Sequence, residues 1–420
     1  MKQLTPSSSA DLGLLACTKP FRGLPGAVLE QMKDAMLERR FAPGDLLIRQ
    51  GDPGDSLLVL TEGRARVSIR GPEGRPHELA EVGPGDVIGE MALITGEPRN
   101  ADVIATSPVR ALILPAQHFH SMAGANARLA MVLTHLLADR LGDSERDGLS
   151  EKVLNGFRIK RRVGMGATAV VYEAEQVETR RRVALKMMSH RLIFELDAPK
   201  RFQREADLVA TLRHPNILSL HGRFEAYKTC FLIMEYCDGR SLAELLRDRG
   251  WLEEDQVRAI LGQLALGLQH VHQQGILHRD LKPSNVMVNG DGQVKLMDFG
   301  IAKSRSGPFA ERTMQGVIIG SMRYMPPEQL RGLPIDERAD LYAFGVLAYV
   351  LLTGCAPIGG DDAGELMHGK AHWKLPRRGK VRRALSRDLY RLLKRSLSAD
   401  PRKRTLSLAE IGKWAVPVHL

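Results

Sequence analysis

Long apolar runs are missing from this 420-residue chain. The longest, Leu341 to Leu352, is short and contains Tyr and Gly, so it reads as a buried helix and not a bilayer span. Met1 to Ala10 hold one Lys and then polar residues, without the apolar core of a secretory signal. Cysteine is scarce. Cys17, Cys230, Cys237 and Cys355 lie far apart or in no metal-ligand spacing. That argues against a disulfide framework and a zinc site, and for a reducing compartment. Cytoplasmic location is the resulting expectation. There is no internal repeat and no heptad, which excludes a solenoid or a long coiled coil.

Acidic residues are outnumbered. The net charge is +11, with basic runs at Arg180-Arg181-Arg182, Arg377 to Arg383 and Arg402-Lys403-Arg404. No nucleic-acid motif accompanies them, so they read first as solvated surface. The sharper reading is a surface that attracts acidic substrates or nucleic acid.

The length calls for two domains. Residues 1–11 are polar. Residues 12–141 read as helix, then many short strands, then helix. Residues 142–156 form a linker that opens on the turn-rich Gly142-Asp143-Ser144-Glu145-Arg146-Asp147-Gly148, and residues 157–417 read as strands followed by helices. In the first domain, Leu24 to Arg40 places Val28, Leu29, Met32 and Met36 at helical spacing. Pro43-Gly44-Asp45 precedes the strand-like Leu46-Leu47-Ile48. Arg64 to Arg70 alternates, and His120 to Leu141 closes the domain as a helix with Leu129 and Val132 on one face. Short strands at this spacing imply a sandwich or small barrel.

The segment Gly89-Glu90-Met91-Ala92-Leu93-Ile94-Thr95-Gly96-Glu97-Pro98-Arg99-Asn100-Ala101 carries the chemistry of this domain. A short helix over 90–95 would present free N–H groups to an anion, and Arg99 could fork onto the same anion. Glu90 could accept from a ribose hydroxyl. The segment resembles the phosphate-binding cassette of the cyclic nucleotide-binding domain family. The paired turns Pro43-Gly44-Asp45 and Gly83-Pro84-Gly85-Asp86 fit the same family. The resemblance implies a β-barrel or jelly roll with flanking helices. It also implies that Glu90 binds the ribose 2′-hydroxyl and Arg99 the cyclic phosphate, assisted by backbone N–H groups near Gly89, Met91, Ala92 and Ala101. Asn100, after the Arg, does not separate cAMP from cGMP. The competing reading pairs Glu90 with Arg99 in a domain without a ligand.

The second domain contains His278-Arg279-Asp280-Leu281-Lys282-Pro283-Ser284-Asn285, followed by Asp298-Phe299-Gly300. These residue types suit phosphoryl transfer: an Asp to accept a hydroxyl proton, a Lys to neutralise a moving phosphate, an Asn and a second Asp for Mg²⁺. Upstream lie Val163-Gly164-Met165-Gly166-Ala167-Thr168-Ala169-Val170-Val171 and Val183-Ala184-Leu185-Lys186. With these motifs the region resembles the protein kinase family, a bilobal α+β fold. Lys282 after Asp280 is the pattern of the serine/threonine branch. Gly-Met-Gly-Ala-Thr-Ala-Val-Val-Tyr at 164–172 looks more bacterial than animal.

The resemblance implies the following roles. Asp280 orients and deprotonates the substrate hydroxyl, and Lys282 stabilises the transferring phosphate. Asn285 and Asp298 hold Mg²⁺. Lys186 contacts the ATP phosphates and pairs with Glu205. Gly164 and Gly166 lie over the phosphates, although Ala169 replaces the third glycine. Adenine bonds the backbone at Glu235 and Cys237 and lies between Val171, Ala184 and Met287. Glu328 pairs with Arg404, and Asp340 anchors the catalytic loop. Ser321 bonds Asp280 and Lys282. Val317 stands where many relatives carry a phosphorylatable Thr, so Thr313 is the expected autophosphorylation site.

The sequence therefore reads as a serine/threonine kinase using ATP and Mg²⁺, governed by a cyclic nucleotide such as cAMP or cGMP. Protein substrates, and conceivably a second copy of the chain, are its expected partners. The rivals are a kinase with a docking or dimerisation domain in place of a sensor, a non-catalytic scaffold, and a transcription regulator. The last is disfavoured because no helix-turn-helix follows residue 140.

Overall fold

The computed structural model describes residues 5–6, 10–70, 76–90, 98–126, 128–129, 131–132, 153–165, 169–188, 198–227, 229–299, 319–360 and 362–419. The chain divides into two compact units, Met1–Pro199 with Arg223–Ile233, and Lys200–Gly222 with Met234–Leu420.

The first unit contains two antiparallel sheets built from residues before 116. One orders Thr5–Pro6, Leu37–Phe41, Val109–Pro115, Ser56–Glu62 and Val87–Ile88. The other orders Leu46–Ile48, Asp102–Ala105, Ala65–Arg70 and Pro76–Val82. Ser56–Glu62 is apolar at consecutive positions because both of its faces are covered. Leu58 and Leu60 join Phe41, Ile48, Val103 and Ala105 in one buried cluster, whereas Leu57 and Val59 join the helical residues Val28, Leu29 and Met32 in another. This is the jelly-roll-like sandwich with flanking helices that the family resemblance implied. The two Gly-Asp turns use one device. Gly44 and Gly85 take positive φ, while Asp45 and Asp86 each accept the N–H three residues earlier at 2.8 Å.

The helix expected over Leu24 to Arg40 is shorter: it spans Gly26–Ala35, and Leu37–Phe41 is a strand. Met36 adopts an extended backbone at the cap. Register with Val109–Ile113 then outweighs the helical periodicity. The closing helix also differs. It begins earlier, at Ala116, and stops at Ala125. Asn126 is extended, and its side-chain oxygen accepts from Arg128 N at 3.0 Å and Leu129 N at 3.2 Å, capping a new helical start. The stretch expected to continue to Leu141, and linker residues 142–152, lie outside the described residues.

A six-stranded sheet follows, ordered Val153–Leu154, Phe157–Met165, Ala169–Gln176, Arg182–Met188, Thr229–Glu235 and Leu220–Ala226. Val153 and Leu154 pair with Arg158 and Phe157, so the end of the predicted linker is already strand. Within the first unit one continuous hydrophobic cluster contains Leu15, Met32, Phe119, Leu129 and Val132 together with Tyr172, Leu185 and Phe231 of this sheet.

The second unit is mainly helical around Glu254–Gln273 and Glu337–Thr353. Gly345 is required where a Cβ would come 2.1 Å from Ser396 Oγ. Gln263, buried in the first of these helices, is fully satisfied. It accepts from Asn216 Nδ2 and Val294 N and donates to the Gly292 and Val416 carbonyls at 2.7–2.9 Å. Among the described residues no helix is long and apolar enough to cross a membrane.

Candidate active site and sensor pocket

Strand register places four predicted residues of the first unit on one face. Val171 stands opposite Lys186, Gly164 opposite Val171, and Ala184 two residues before Lys186. The alternate residues Val183, Leu185 and Met187 are buried on the other face. Gly166 lies outside the described residues. Glu205 falls in the helix Ala198–Thr211, but its side chain lies outside them too.

In the second unit the loop that carries His278 to Asn285 hangs from one carboxylate. Asp340 is 1 % exposed. Its Oδ2 accepts from His278 N and lies 2.9 Å from His272 Nε2, and its Oδ1 accepts from Arg279 N at 2.9 Å. Burial alone would raise its pKa. The His272 bond, both histidines and the Arg279 N–H outweigh that and hold it below the usual carboxylate value. The anchoring permits positive φ at Arg279 (62°), and Asp298 (58°) shares this uncommon conformation. His278 is buried and its ring is tilted against Phe299, with centroids 4.9 Å apart. Its Nε2 lies 3.0 Å from the Met297 carbonyl and its Nδ1 accepts from Asp280 N at 3.3 Å. That assignment makes it a neutral Nε2–H tautomer, consistent with a pKa lowered by burial. His278 is thus a packing residue.

Around Asp280 the polar side chains converge. Lys282 Nζ lies 3.0 Å from Asp280 Oδ2 and donates to Ser321 Oγ at 3.0 Å. Asn285 Nδ2 donates to the Asp280 carbonyl at 2.8 Å and to Asp280 Oδ2 at 3.1 Å. A carboxylate and a carboxamide oxygen, from Asp298 and Asn285, are the hard donors that Mg²⁺ takes. Met287 pairs with Lys295 and Ser241 in the small sheet. Glu235 N donates to the Ser219 carbonyl at 2.8 Å. Its side chain pairs with Lys295 Nζ at 2.8 Å, a partnership sequence reading missed. Cys237 is a half-buried thiol whose pKa is pushed up by burial. Arg404 grips Glu328 with both terminal nitrogens, at 2.5 and 2.9 Å. Thr313 lies outside the described residues.

In the sandwich, Arg99 is buried, and Gly89 explains how. Gly89 has φ +81°, and a Cβ there would come 2.3 Å from Arg99 Nη1. Instead Nη1 donates to the Gly89 carbonyl at 2.9 Å. Nη2 donates to Ser56 Oγ at 3.0 Å and meets Asp55 Oδ1 at 3.4 Å. Burial disfavours the Arg99 charge, opposed by Asp55, Glu90 and Asp52. Glu90 is buried, Asn100 is exposed and Ala101 half-buried. Met91 and Ala92 lie outside the described residues. Asp55 and Ser56 were missed from sequence; the turn Pro53-Gly54 before them was the available signal.

A protein kinase domain model matches residues 157–413. The chain belongs to the protein kinase family. A cyclic nucleotide-binding domain model matches residues 38–126 of this kinase. Similar proteins include Serine/threonine-protein kinase pkn2 of Myxococcus xanthus, 36% identical over 64% of this chain and 33% of that protein. Serine/threonine-protein kinase PknL of Mycobacterium tuberculosis is 36% identical over 56% of this chain and 59% of that protein. A probable serine/threonine-protein kinase of Clostridium acetobutylicum is 35% identical over 49% of this chain and 31% of that protein. The matches thus span about a third to three fifths of these relatives' lengths.

Proposed function

We propose that this protein transfers the ATP γ-phosphate to serine and threonine hydroxyls of proteins, itself included, and that a cyclic nucleotide such as cAMP or cGMP sets the rate. The observation that carries the first part is the convergence of Lys282 and Asn285 on Asp280, with the loop suspended from Asp340. In this reading the substrate hydroxyl oxygen attacks the γ-phosphorus, the bond to the β–γ bridging oxygen breaks, and Asp280 takes the hydroxyl proton. Lys282 lies against the transferring phosphate and Lys186, held by Glu205, against the remaining ones. Asn285 and Asp298 would hold Mg²⁺, which would supply positive charge to the phosphate oxygens. Gly164 and Gly166 let backbone approach the phosphates, and Glu235 and Cys237 offer backbone groups to adenine between Val171, Ala184 and Met287. Thr313 is the assigned autophosphorylation site. Fragment mass spectrometry after ATP–Mg²⁺ incubation tests it, and an unmodified Thr313 removes it.

For the sensor, the buried Arg99, given room by the glycine at 89, supports cyclic phosphate binding, with Glu90 at the ribose. The hydrophobic cluster shared by the sandwich helices and the Lys186 sheet supports coupling, because a packed contact transmits a shift that a loose tether would absorb. A nucleotide changes kinase rate only if it binds the active and inactive arrangements differently. Titration of the full chain with cAMP and cGMP, read by calorimetry and by phosphate transfer, tests this. Binding without a rate change would leave a docking domain in place of a regulator.

A further inference from the structure

The helix Ala363–His372 buries one charged side chain that no catalytic role uses. Leu366, Lys370 and Trp373 recur at helical spacing, and Leu366, Met367 and Trp373 pack with Met322, Met325 and Leu330. Lys370 is only 2 % exposed in this apolar stripe. Its Nζ donates to the Arg323 carbonyl at 2.7 Å and lies 5.1 Å from the centre of the Tyr342 ring. Arg404 lies on the same ring at 4.9 Å, and its carboxylate, Glu328, is already gripped by both guanidinium nitrogens. The cluster therefore holds two cations and one anion. Burial, with Arg404 adding to it and Glu328 opposing, pulls the Lys370 amine down to about 7.

A buried lysine is a poor choice for stability, since an apolar side chain of the same length avoids the desolvation. What this lysine does is fasten a backbone. Arg323 lies two residues after Ser321, and Ser321 Oγ accepts from Lys282, which touches Asp280. A line of contacts thus runs from Lys370 through the Arg323 carbonyl and residues 321–323 to the catalytic carboxylate.

We propose that Lys370 is a positioning residue for phosphoryl transfer: it fixes the segment 321–323 so that Ser321 holds Lys282 against Asp280. This rests on the kinase reading above. Lys370 touches no reacting atom. Lys370→Met keeps length and volume while removing the donor. A shift of the segment by a fraction of an ångström would fall on the transition state more than on nucleotide binding.

The test uses the full chain: wild type, Lys370→Met, Ser321→Ala and the double variant. Phosphate transfer from ATP–Mg²⁺ to a generic basic protein is measured beside thermal unfolding, with Asp280→Ala as control. Lys370→Met is expected to melt no lower than wild type, to lose about tenfold to hundredfold in kcat, and to keep its KM for ATP within about twofold. In the Ser321→Ala background it should cost little more, because both changes break one line of contacts. Lys370→Gln, which keeps a neutral donor, should recover part of kcat. A Lys370→Met with wild-type kcat, a loss that adds in full to that of Ser321→Ala, or a fall in melting temperature would each overturn the proposal. Wild-type transfer that is absent, or unchanged in Asp280→Ala, would instead sink the kinase reading beneath it.

Discussion

Asp340→Asn separates the anchoring of the catalytic loop from its chemistry. The carboxylate accepts two backbone N–H groups, from His278 and Arg279, and meets His272. Each bond to a charged acceptor contributes about 1.5–3 kcal/mol. Asparagine keeps one acceptor oxygen and turns an NH₂ toward a buried donor. At least one bond is lost and one donor left unpaired, which puts the loss at about 2–4 kcal/mol. That is a large part of a domain's stability. Asp340 lies away from the reacting atoms, yet the positive φ at Arg279 depends on it. Urea unfolding should show the destabilisation. Hydrogen exchange should show faster loss at the His278 and Arg279 amides, at urea concentrations where the rest of the domain stays protected. A stability change below about 0.5 kcal/mol with unchanged exchange at those amides would refute the anchoring argument.

Two further outcomes follow from the geometry. Gly89→Ala must move Arg99, because its Cβ would lie 2.3 Å from Nη1 at a positive φ; calorimetry should show cyclic nucleotide affinity reduced at least about tenfold with phosphate transfer retained. Lys370 gives stability a defined pH slope. Its amine is pulled down to about 7 when folded and stays near the ordinary lysine value of 10.5 when unfolded, so between these limits the unfolded chain holds the extra proton. Wild-type stability should therefore rise from pH 7 toward 10 relative to Lys370→Met, and parallel unfolding curves for the two proteins would contradict this.

The candidate catalytic residues were legible because kinase motifs are contiguous: Asp280, Lys282 and Asn285 fall within six residues. The Glu328–Arg404 pair was legible despite its separation, because each member sits in its own motif. A sandwich or small barrel was legible from turns at strand spacing, where Gly44 and Gly85 take positive φ and the neighbouring Asp closes the turn, and the jelly roll from the family resemblance. Helix ends were less so. Leu37–Phe41 continues a helical pattern but finds a strand partner sixty-eight positions away in Val109, a contact no local window contains. Lys370 was not legible either. Its sequence neighbourhood is polar, and only the fold brings Tyr342, Arg404 and the Arg323 carbonyl around it.

The most direct test of the account is radiolabel transfer from ATP–Mg²⁺ by the full chain to itself and to a generic basic protein, with and without cAMP or cGMP, beside Asp280→Ala and Arg99→Ala. The account predicts transfer that Asp280→Ala abolishes, and a nucleotide response that Arg99→Ala alone removes. Transfer that survives Asp280→Ala, or that no cyclic nucleotide alters, would contradict it.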